Sequence, residues 1–300
     1  MRARTLDAME FVLGHGTEND FVLLPDADGA LDLDGPDGAE LVRRLCHRRR
    51  GLGADGVLRA VRTDTPAAAD AGVDGAGAGW FMDYRNADGS IAEMCGNGIR
   101  LFARYLVGAG LAAPGTFGVA TRAGVREVTL GVEGDVTVDM GPARVGAVSV
   151  ANVDGRDLTG IAVDVGNPHL ACVVEDDAEL EALDLALAPA YDAALFPHGV
   201  NVEVLRPLRA GATRLRVHER GSGETRSCGT GTVAGAVAAL RAAGLDAGRV
   251  TVGTPGGTLL VTVGAGAGST TTLSGPAVLV AHGQVSPALV PAGMGAVPTR

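Results

Sequence analysis

Short runs rich in Val, Leu and Thr, bounded by Gly, Pro and Asp, recur along most of the chain and predict strands. They cover residues 21–24, 79–86, 126–141, 160–168, 170–176, 199–207, 213–220, 249–264 and 277–283. Apolar residues at helical spacing predict helices over 37–49 and 176–196. The Ala/Gly-rich stretch 65–79 reads as a flexible, hairpin-like connection, and 287–300 as a disordered tail. The pattern is that of strands interrupted by a few helices.

Two of those helices share an unusual start. Met94-Cys95-Gly96-Asn97-Gly98 and Ser227-Cys228-Gly229-Thr230-Gly231 each read C-G-x-G and run into an apolar, Ala- and Leu-rich segment ending at Gly. A polar histidine segment precedes each, around His15 and His169. This predicts two halves built on one plan. The expected N-terminal half is 1–138 plus about 272–286, carrying Cys95, and the C-terminal half is 139–271, carrying Cys228.

Composition removes several function classes. All 25 basic residues are Arg. Without Lys there is no Schiff base for pyridoxal phosphate and no P-loop lysine. A net charge of −10 disfavours nucleic acid and anionic membranes as partners, and no apolar run is long enough to span a bilayer, so a cytoplasmic protein is expected. The four cysteines form no C-x-x-C pair, which argues against a structural zinc site or a dithiol. No metal is expected.

Each C-G-x-G places a thiol at the start of a helix on bare backbone. There the free N–H groups and helix dipole favour the thiolate and form a cradle for a carboxylate. Two such elements suggest proton removal on one face of a carbon and proton return on the other. Alone, either motif reads as a helix start; the duplication favours chemistry. Glu219-Arg220 ends a strand beside a Gly-rich loop, where an Arg can clamp a carboxylate and a Glu can hold an ammonium. Asn19, Asn167 and Asn201 lie in polar turns at strand edges, and His169 is the histidine nearest this chemistry. Cys46 and Cys172 read as buried hydrophobes.

The ordered set GHGTENDF, GLGADG, FMDYRNADGSIAEMCGNGIR, GNPH, FPHGVN and ERGSGETRSCGTG resembles the diaminopimelate epimerase family, in its actinobacterial form, from about residue 10 to 285. The resemblance implies an α+β fold of two pseudo-symmetric halves, each a β-barrel-like mixed sheet around a central helix, with the site between them. It implies that Cys95 and Cys228 are the catalytic bases and that the backbone at Gly96-Asn97 and Gly229-Thr230 cradles a carboxylate. Asn19, Asn86, Asn167, Asn201, Glu219 and Arg220 would bind substrate, and His169 and Glu219 would tune or shape the site. No cofactor is implied, and a homodimer is compatible with it. Leu13, Glu18, Gly56 and Ser227 depart from residues common in the family.

The implied reaction interconverts LL- and meso-2,6-diaminopimelate by two-cysteine proton transfer, in lysine and peptidoglycan synthesis. The alternatives are a cofactor-independent racemase of the proline, hydroxyproline or histidine type, and an inactive paralogue that only binds ligand.

Overall fold

The computed structural model describes residues 9–266 and 268–294. The chain divides into two compact units, one formed by residues up to Val136 together with those from Ala277 onward, the other by Thr137–Pro276.

Unit 1 begins with β1 (Glu10–Gly16), β2 (Asn19–Pro25), α1 (Pro36–Cys46), β3 (Gly56–Arg62), α2 (Pro66–Asp70), β4 (Ala78–Asn86) and β5 (Ile91–Ala92). It continues with α3 (Gly96–Gly108), β6 (Gly115–Thr121) and β7 (Gly124–Leu130). Unit 2 holds β8 (Val136–Pro142), β9 (Arg144–Val153), β10 (Arg156–Asp164), β11 (Pro168–Val173), α4 (Asp177–Ala182), β12 (Ala190–Tyr191) and β13 (Asn201–Leu205). Then come β14 (Ala212–Glu219), β15 (Gly223–Thr225), α5 (Gly229–Ala242), β16 (Gly248–Thr254), β17 (Gly257–Val263) and β18 (Thr270–Gly275). The chain returns to unit 1 with β19 (Val278–Gln284).

The two sheets repeat one ladder. In unit 1 the order β1–β2–β3–β4–β6–β7 runs antiparallel, parallel, antiparallel, parallel, antiparallel. In unit 2 β10–β11–β13–β14–β16–β17 follows the same sequence. β19 extends the first ladder at β1, as β9 extends the second at β10. The small strands β5 and β15 pair with β4 and β14. Each sheet packs around one helix: α3 touches β1, β2, β3, β4, β7 and β19, and α5 touches β10, β11, β13, β14, β16, β17 and β18. A helix surrounded on all sides must be apolar and small all round. Val233 to Leu240 on α5 are accordingly all buried.

Register makes positions comparable. Phe21 of β2 stands opposite Gly56 of β3, and Gly56 opposite Asn86 of β4. In unit 2 His169 stands opposite Asn201, and Val202 opposite His218, which sets Asn201 against Glu219. Asn86 precedes Cys95 by nine residues, and Glu219 precedes Cys228 by nine (95 − 86 and 228 − 219). Asn19 and Asn167 each lie two residues before Phe21 and His169. Asn19 and Asn167, Gly56 and Asn201, and Asn86 and Glu219 are thus counterparts.

Several sequence expectations change. The helix expected over 176–196 is only the single-turn-and-a-half α4; its apolar residues Leu180, Leu183, Leu185 and Phe196 instead cap the core of unit 2 from a mostly irregular segment. The stretch 65–79 contains α2, capped by Thr65 with Pro66 in its first turn. Residues 287–294, expected to be disordered, include a 3-10 helix at Pro287–Leu289, and Leu289, Val290 and Met294 pack on the core of unit 1. The rest of the expected tail, 295–300, lies outside the described residues. β1, β3, β6, β9 and β18, and the short β5, β12 and β15, lie outside the expected strands. Among the described residues, no helix is long and apolar enough to cross a membrane.

Candidate active site

Cys95 and Cys228 are the N-caps of α3 and α5. Both are extended, with φ −142° and ψ 122° at Cys95 and φ −119° and ψ 121° at Cys228. Each sulfur accepts a hydrogen bond at 3.4 Å, from Gly98 N–H and Gly231 N–H respectively. A thiol here takes the place that Ser or Asp takes in an ordinary cap. The glycines keep the approach open: a Cβ on Gly98 would lie 3.2 Å from Leu58, and one on Gly231 would lie 2.6 Å from a Glu203 carboxylate oxygen.

The surroundings of Cys95 come from the β1–β2 turn. Thr17 and Glu18 both have positive φ, 50° and 61°, a two-residue hairpin turn without glycine. That costly conformation delivers Thr17 and Asn19 to the helix start. The Cys95 thiol lies 3.7 Å from Asn19 Oδ1, and Asn97 Nδ2 donates to the same oxygen at 3.1 Å. Asn19 is oriented from behind, where its Nδ2 donates to Asp55 at 2.8 Å. Asp55 and Asp20 share Arg48, at 2.6 and 2.8 Å. Arg48 therefore anchors the Asn19 support. Asn86 sits at the end of β4, donating from Nδ2 to Ser90 Oγ at 2.9 Å.

Unit 2 surrounds Cys228 differently. His169 and Glu203 are fully buried and bonded, Nδ1 to Oε1, at 2.6 Å. His169 Nε2 lies 3.0 Å from Asn167 Oδ1, so the ring is fixed from both sides. Glu219 is bonded to Thr225 Oγ1 and to Cys228. Burial pushes the Glu219 carboxyl up, and those two hydrogen bonds oppose the rise. Thr230 Oγ1 lies 3.6 Å from the Cys228 sulfur. Asn201 Oδ1 accepts from Arg220 N–H at 2.9 Å, and Arg220 Nη1 donates to His198 O at 2.7 Å. Gly199, at φ 86°, lets that side chain lie close, since a Cβ would fall 2.6 Å from Arg220 Cδ.

The expectation that both helix starts favour the thiolate fails at Cys228. Burial pushes that thiol well above the ordinary range, and Glu219 and Glu203 push it further; the bonds to Thr230 and Gly231 N–H do not offset them. Cys46 and Cys172 are pushed up to about 12 by burial, as suits packing residues.

The structure brings Asn19, Gly96 and Asn97 together with Cys95, and gathers Asn167, His169, Asn201, Glu219, Arg220, Gly229 and Thr230 around the start of α5 or the strand ends beside it. Sequence reasoning missed Thr17, Asp55, Arg100 and Glu203. Asp55 stood in the GLGADG motif; Glu203 carried no signal, being one acidic residue in an apolar strand. Of the departures from the family pattern, Gly56 has no room for a side chain, as a Cβ would lie 2.7 Å from Arg85 O. Leu13 packs on the unit 1 core. Among the described residues no cluster of His, Cys, Asp and Glu is arranged to hold a metal.

The family model described as diaminopimelate epimerase matches residues 11–146 and 161–280. The chain is 54% identical to the diaminopimelate epimerase of Rhodococcus erythropolis, over 93% of this chain and 97% of the relative. It is 56% identical to that of Rhodococcus jostii, over 92% and 96%. The Mycobacterium avium enzyme is 55% identical over 93% and 97%. Among solved structures, a hydroxyproline epimerase from Agrobacterium vitis superposes with a TM-score of 0.66 at 17% identity, covering 96% of this chain and 95% of that one. A phenazine biosynthesis protein from Bacillus anthracis gives 0.68 at 15%, covering 93% and 99%. At such identities the two structures speak for the fold, whereas the relatives above half identity speak for the enzyme. With the matched model spanning both C-G-x-G helices, the chain belongs to the diaminopimelate epimerase family and is an isomerase.

Proposed function

We propose that the protein interconverts LL- and meso-2,6-diaminopimelate, with Cys95 and Cys228 as the two proton-transferring groups. The observation that carries this is the repeated helix start: two sulfurs, each the N-cap of a buried helix, each set among polar side chains from the same strand ends. In each turnover one sulfur, as thiolate, takes the α-proton and becomes a thiol. The other, as thiol, gives a proton to the opposite face and becomes a thiolate. The carbanion between these steps lies beside a carboxylate, and the N–H groups at Gly96-Asn97 and Gly229-Thr230 would bear its charge. Asn19, Asn86, Asn167, Asn201, Glu219 and Arg220 would hold the polar ends of the substrate. Their number suits a molecule charged at both termini, whose non-reacting end positions the reacting one. His169 shapes the site through Glu203.

The setting would be the lysine and peptidoglycan route in the cytoplasm, with neither nucleic acid nor membrane as partner at this net charge. The test is incubation with LL-diaminopimelate in deuterium oxide, read by NMR. Deuterium should enter one α-position as the meso isomer forms. Exchange with proline or hydroxyproline, but none with diaminopimelate, would refute the substrate assignment.

A further inference from the structure

Arg100 lies five residues after Cys95 on α3 and is fully buried. Val233 holds the same place after Cys228. A buried guanidinium needs an opposite charge, because burial penalises the ion and neutral acceptors only partly compensate it. Other buried arginines of unit 1 have one: Arg59 and Arg85 each meet Asp83, at 3.0 and 2.9 Å. Arg100 instead donates to two neutral oxygens, Gly96 O at 3.0 Å and Thr17 Oγ1 at 3.1 Å. Its Nε has no hydrogen-bond partner among the described residues. From Thr17 the contacts lead onward to Asn97, Asn19 and the Cys95 sulfur, at 3.5, 3.1 and 3.7 Å.

We propose that Arg100 is the counter-charge that holds Cys95 as the thiolate in the substrate-free protein, so that Cys95 is the base and Cys228 the acid of the resting enzyme. This rests on the two-cysteine reading above and adds the asymmetry that reading leaves open.

The groups around each sulfur agree. Burial draws Arg100 down to about 10, still a cation at neutral pH, while the Cys95 thiolate, ahead of Asp135, holds it up. Other charged groups on elements packed against α3 are engaged elsewhere or exposed. Asp20 of β2 is tied to Arg48; Arg59 of β3 and Asp83 and Arg85 of β4 form their own cluster. His15 of β1 accepts from Glu18 N–H. Glu10 of β1, Glu127 of β7 and His282 of β19 are exposed, and Arg126 of β7 is half-buried. At the start of α5, Cys228 faces Glu219 of β14 and Glu203 of β13, the latter paired with His169 of β11. A turnover that starts from the Cys95 thiolate then leaves a proton on Cys95 and a thiolate on Cys228, and the reverse turnover starts from that second form and restores the first. Beside two carboxyl groups that thiolate is a strong base, and it recovers a proton from solvent as Cys95 releases one.

The experiment is pH-dependent alkylation of the full chain by iodoacetamide, with each cysteine quantified by peptide mapping, in wild type, Arg100→Lys and Arg100→Met. Below its pKa a thiol loses thiolate tenfold per unit of upward shift. Cys95 should react first in the wild type, with an apparent pKa below that of Cys228. In Arg100→Met its alkylation at pH 7 should slow by about tenfold or more, with the profile displaced to higher pH. Arg100→Lys should recover most of the rate, and Cys228 should be unchanged in both. A wild type in which Cys228 titrates first overturns the proposal, and this needs no variant to fold. So does a folded Arg100→Met, with native circular dichroism, whose Cys95 profile matches wild type. Cys95→Ala separates the two levels. If that variant keeps epimerase activity the two-cysteine reading fails, whatever the alkylation profile shows.

Discussion

The floors beneath the two helix starts differ in kind. Under α3, a Cβ at Gly98 would meet Leu58 and Phe21. The counterparts under α5, by register, are Glu203 and His169, bonded to each other. Charge is exchanged in the opposite sense one turn further along, where Arg100 on α3 stands in place of Val233 on α5. One scaffold thus carries a cationic environment at one cysteine and a carboxylate-rich one at the other. Helix dipole and cap geometry are the same in both, so they cannot decide which sulfur is charged; the side chains below them do. On the two-cysteine reading proposed above, the divergence of these duplicated positions lets one repeated ladder supply both a proton acceptor and a proton donor.

The largest effect should come from removing either sulfur. Cys95→Ala and Cys228→Ala should each lower the rate of LL-to-meso conversion by about 10²–10⁴-fold, the scale of a lost proton-transfer group, with little change in unfolding temperature. Chiral chromatography of products measures this. A variant that keeps more than a tenth of the wild-type rate would show that its half supplies only scaffold.

A second difference lies away from the sulfurs. In unit 1 Asp83 is fully buried and takes Arg59, Arg85 and Arg122 at 3.0, 2.9 and 2.6 Å. Its place in β14 of unit 2 is held by Arg216, which pairs with Glu224 near the surface. Burial would raise the Asp83 carboxyl, but the bond to Arg85 and the charges of Arg59 and Arg122 outweigh it and hold the carboxyl below its usual range. A carboxyl depressed in the folded state stabilises at pH above its unfolded value of about 3.9, and that stability is lost as pH falls. Asp83→Asn should cost about 3–5 kcal/mol at pH 7, with the gap to wild type closing toward pH 3. Urea unfolding at the two pH values checks it; a pH-independent gap would mean a packing defect instead.

How much of this was legible follows from where the signal lay. The cysteines, Asn19, His169 and the Glu219-Arg220 pair stood in local motifs, and a motif survives in one dimension. The ladder repeat did not, because register between β3 and β4, or β13 and β14, is a non-local fact. Glu203, an acid in the run Val-Glu-Val, therefore gave no signal, and Arg100, although it closes the FMDYRNADGSIAEMCGNGIR motif, read as an Arg in an apolar helix; only packing sets the one beside Cys228 and the other on Gly96 and Thr17. The helix expected over 176–196 failed for a related reason. Its leucines have helical spacing, but beyond the short α4 they fill the core of unit 2 from irregular backbone, and tertiary burial overrode the local period.

Exchanging the floors should move the sulfur chemistry without unfolding unit 2. His169→Phe with Glu203→Leu gives Cys228 the residues found beneath Cys95. Replacing both partners of a buried hydrogen bond by apolar side chains of similar shape is often nearly neutral, so stability should change by less than about 2 kcal/mol. With Glu203 gone, one of the two anions that raise the Cys228 thiol is removed, and its alkylation at pH 7 should quicken by about tenfold, the factor for one pKa unit. Burial and Glu219 remain, so Cys228 should still titrate above Cys95. No acceleration in a folded double variant would leave desolvation as the dominant cause and empty the floor comparison of electrostatic meaning.

The smallest effect concerns the turns that carry the two asparagines. Immediately before Asn19 stands Glu18, at φ 61°; immediately before Asn167 stands Gly166, at φ 94°. Both turns use a left-handed residue at that point, but only unit 2 uses the residue that adopts it without strain. An L-residue there costs about 1–2 kcal/mol. Glycine gives back about 0.4–1 kcal/mol through the greater freedom of the unfolded chain. Glu18→Gly should therefore raise stability by about 0.5–1 kcal/mol, since the exposed Glu18 side chain lies outside the core. The hydrogen bond from residue 18 N–H to His15 Nδ1 is made by the backbone and survives the change. Gly166→Glu should lower stability by a similar amount, because a Cβ there meets no atom within 4 Å and only backbone strain is added. Thermal unfolding of the two variants, measured side by side, decides it. Opposite shifts of similar size mean that the two turns are equivalent and that unit 1 tolerates strain where unit 2 does not. A loss of stability in Glu18→Gly would mean instead that the Glu18 side chain contributes more to holding Thr17 and Asn19 in place than its conformation costs.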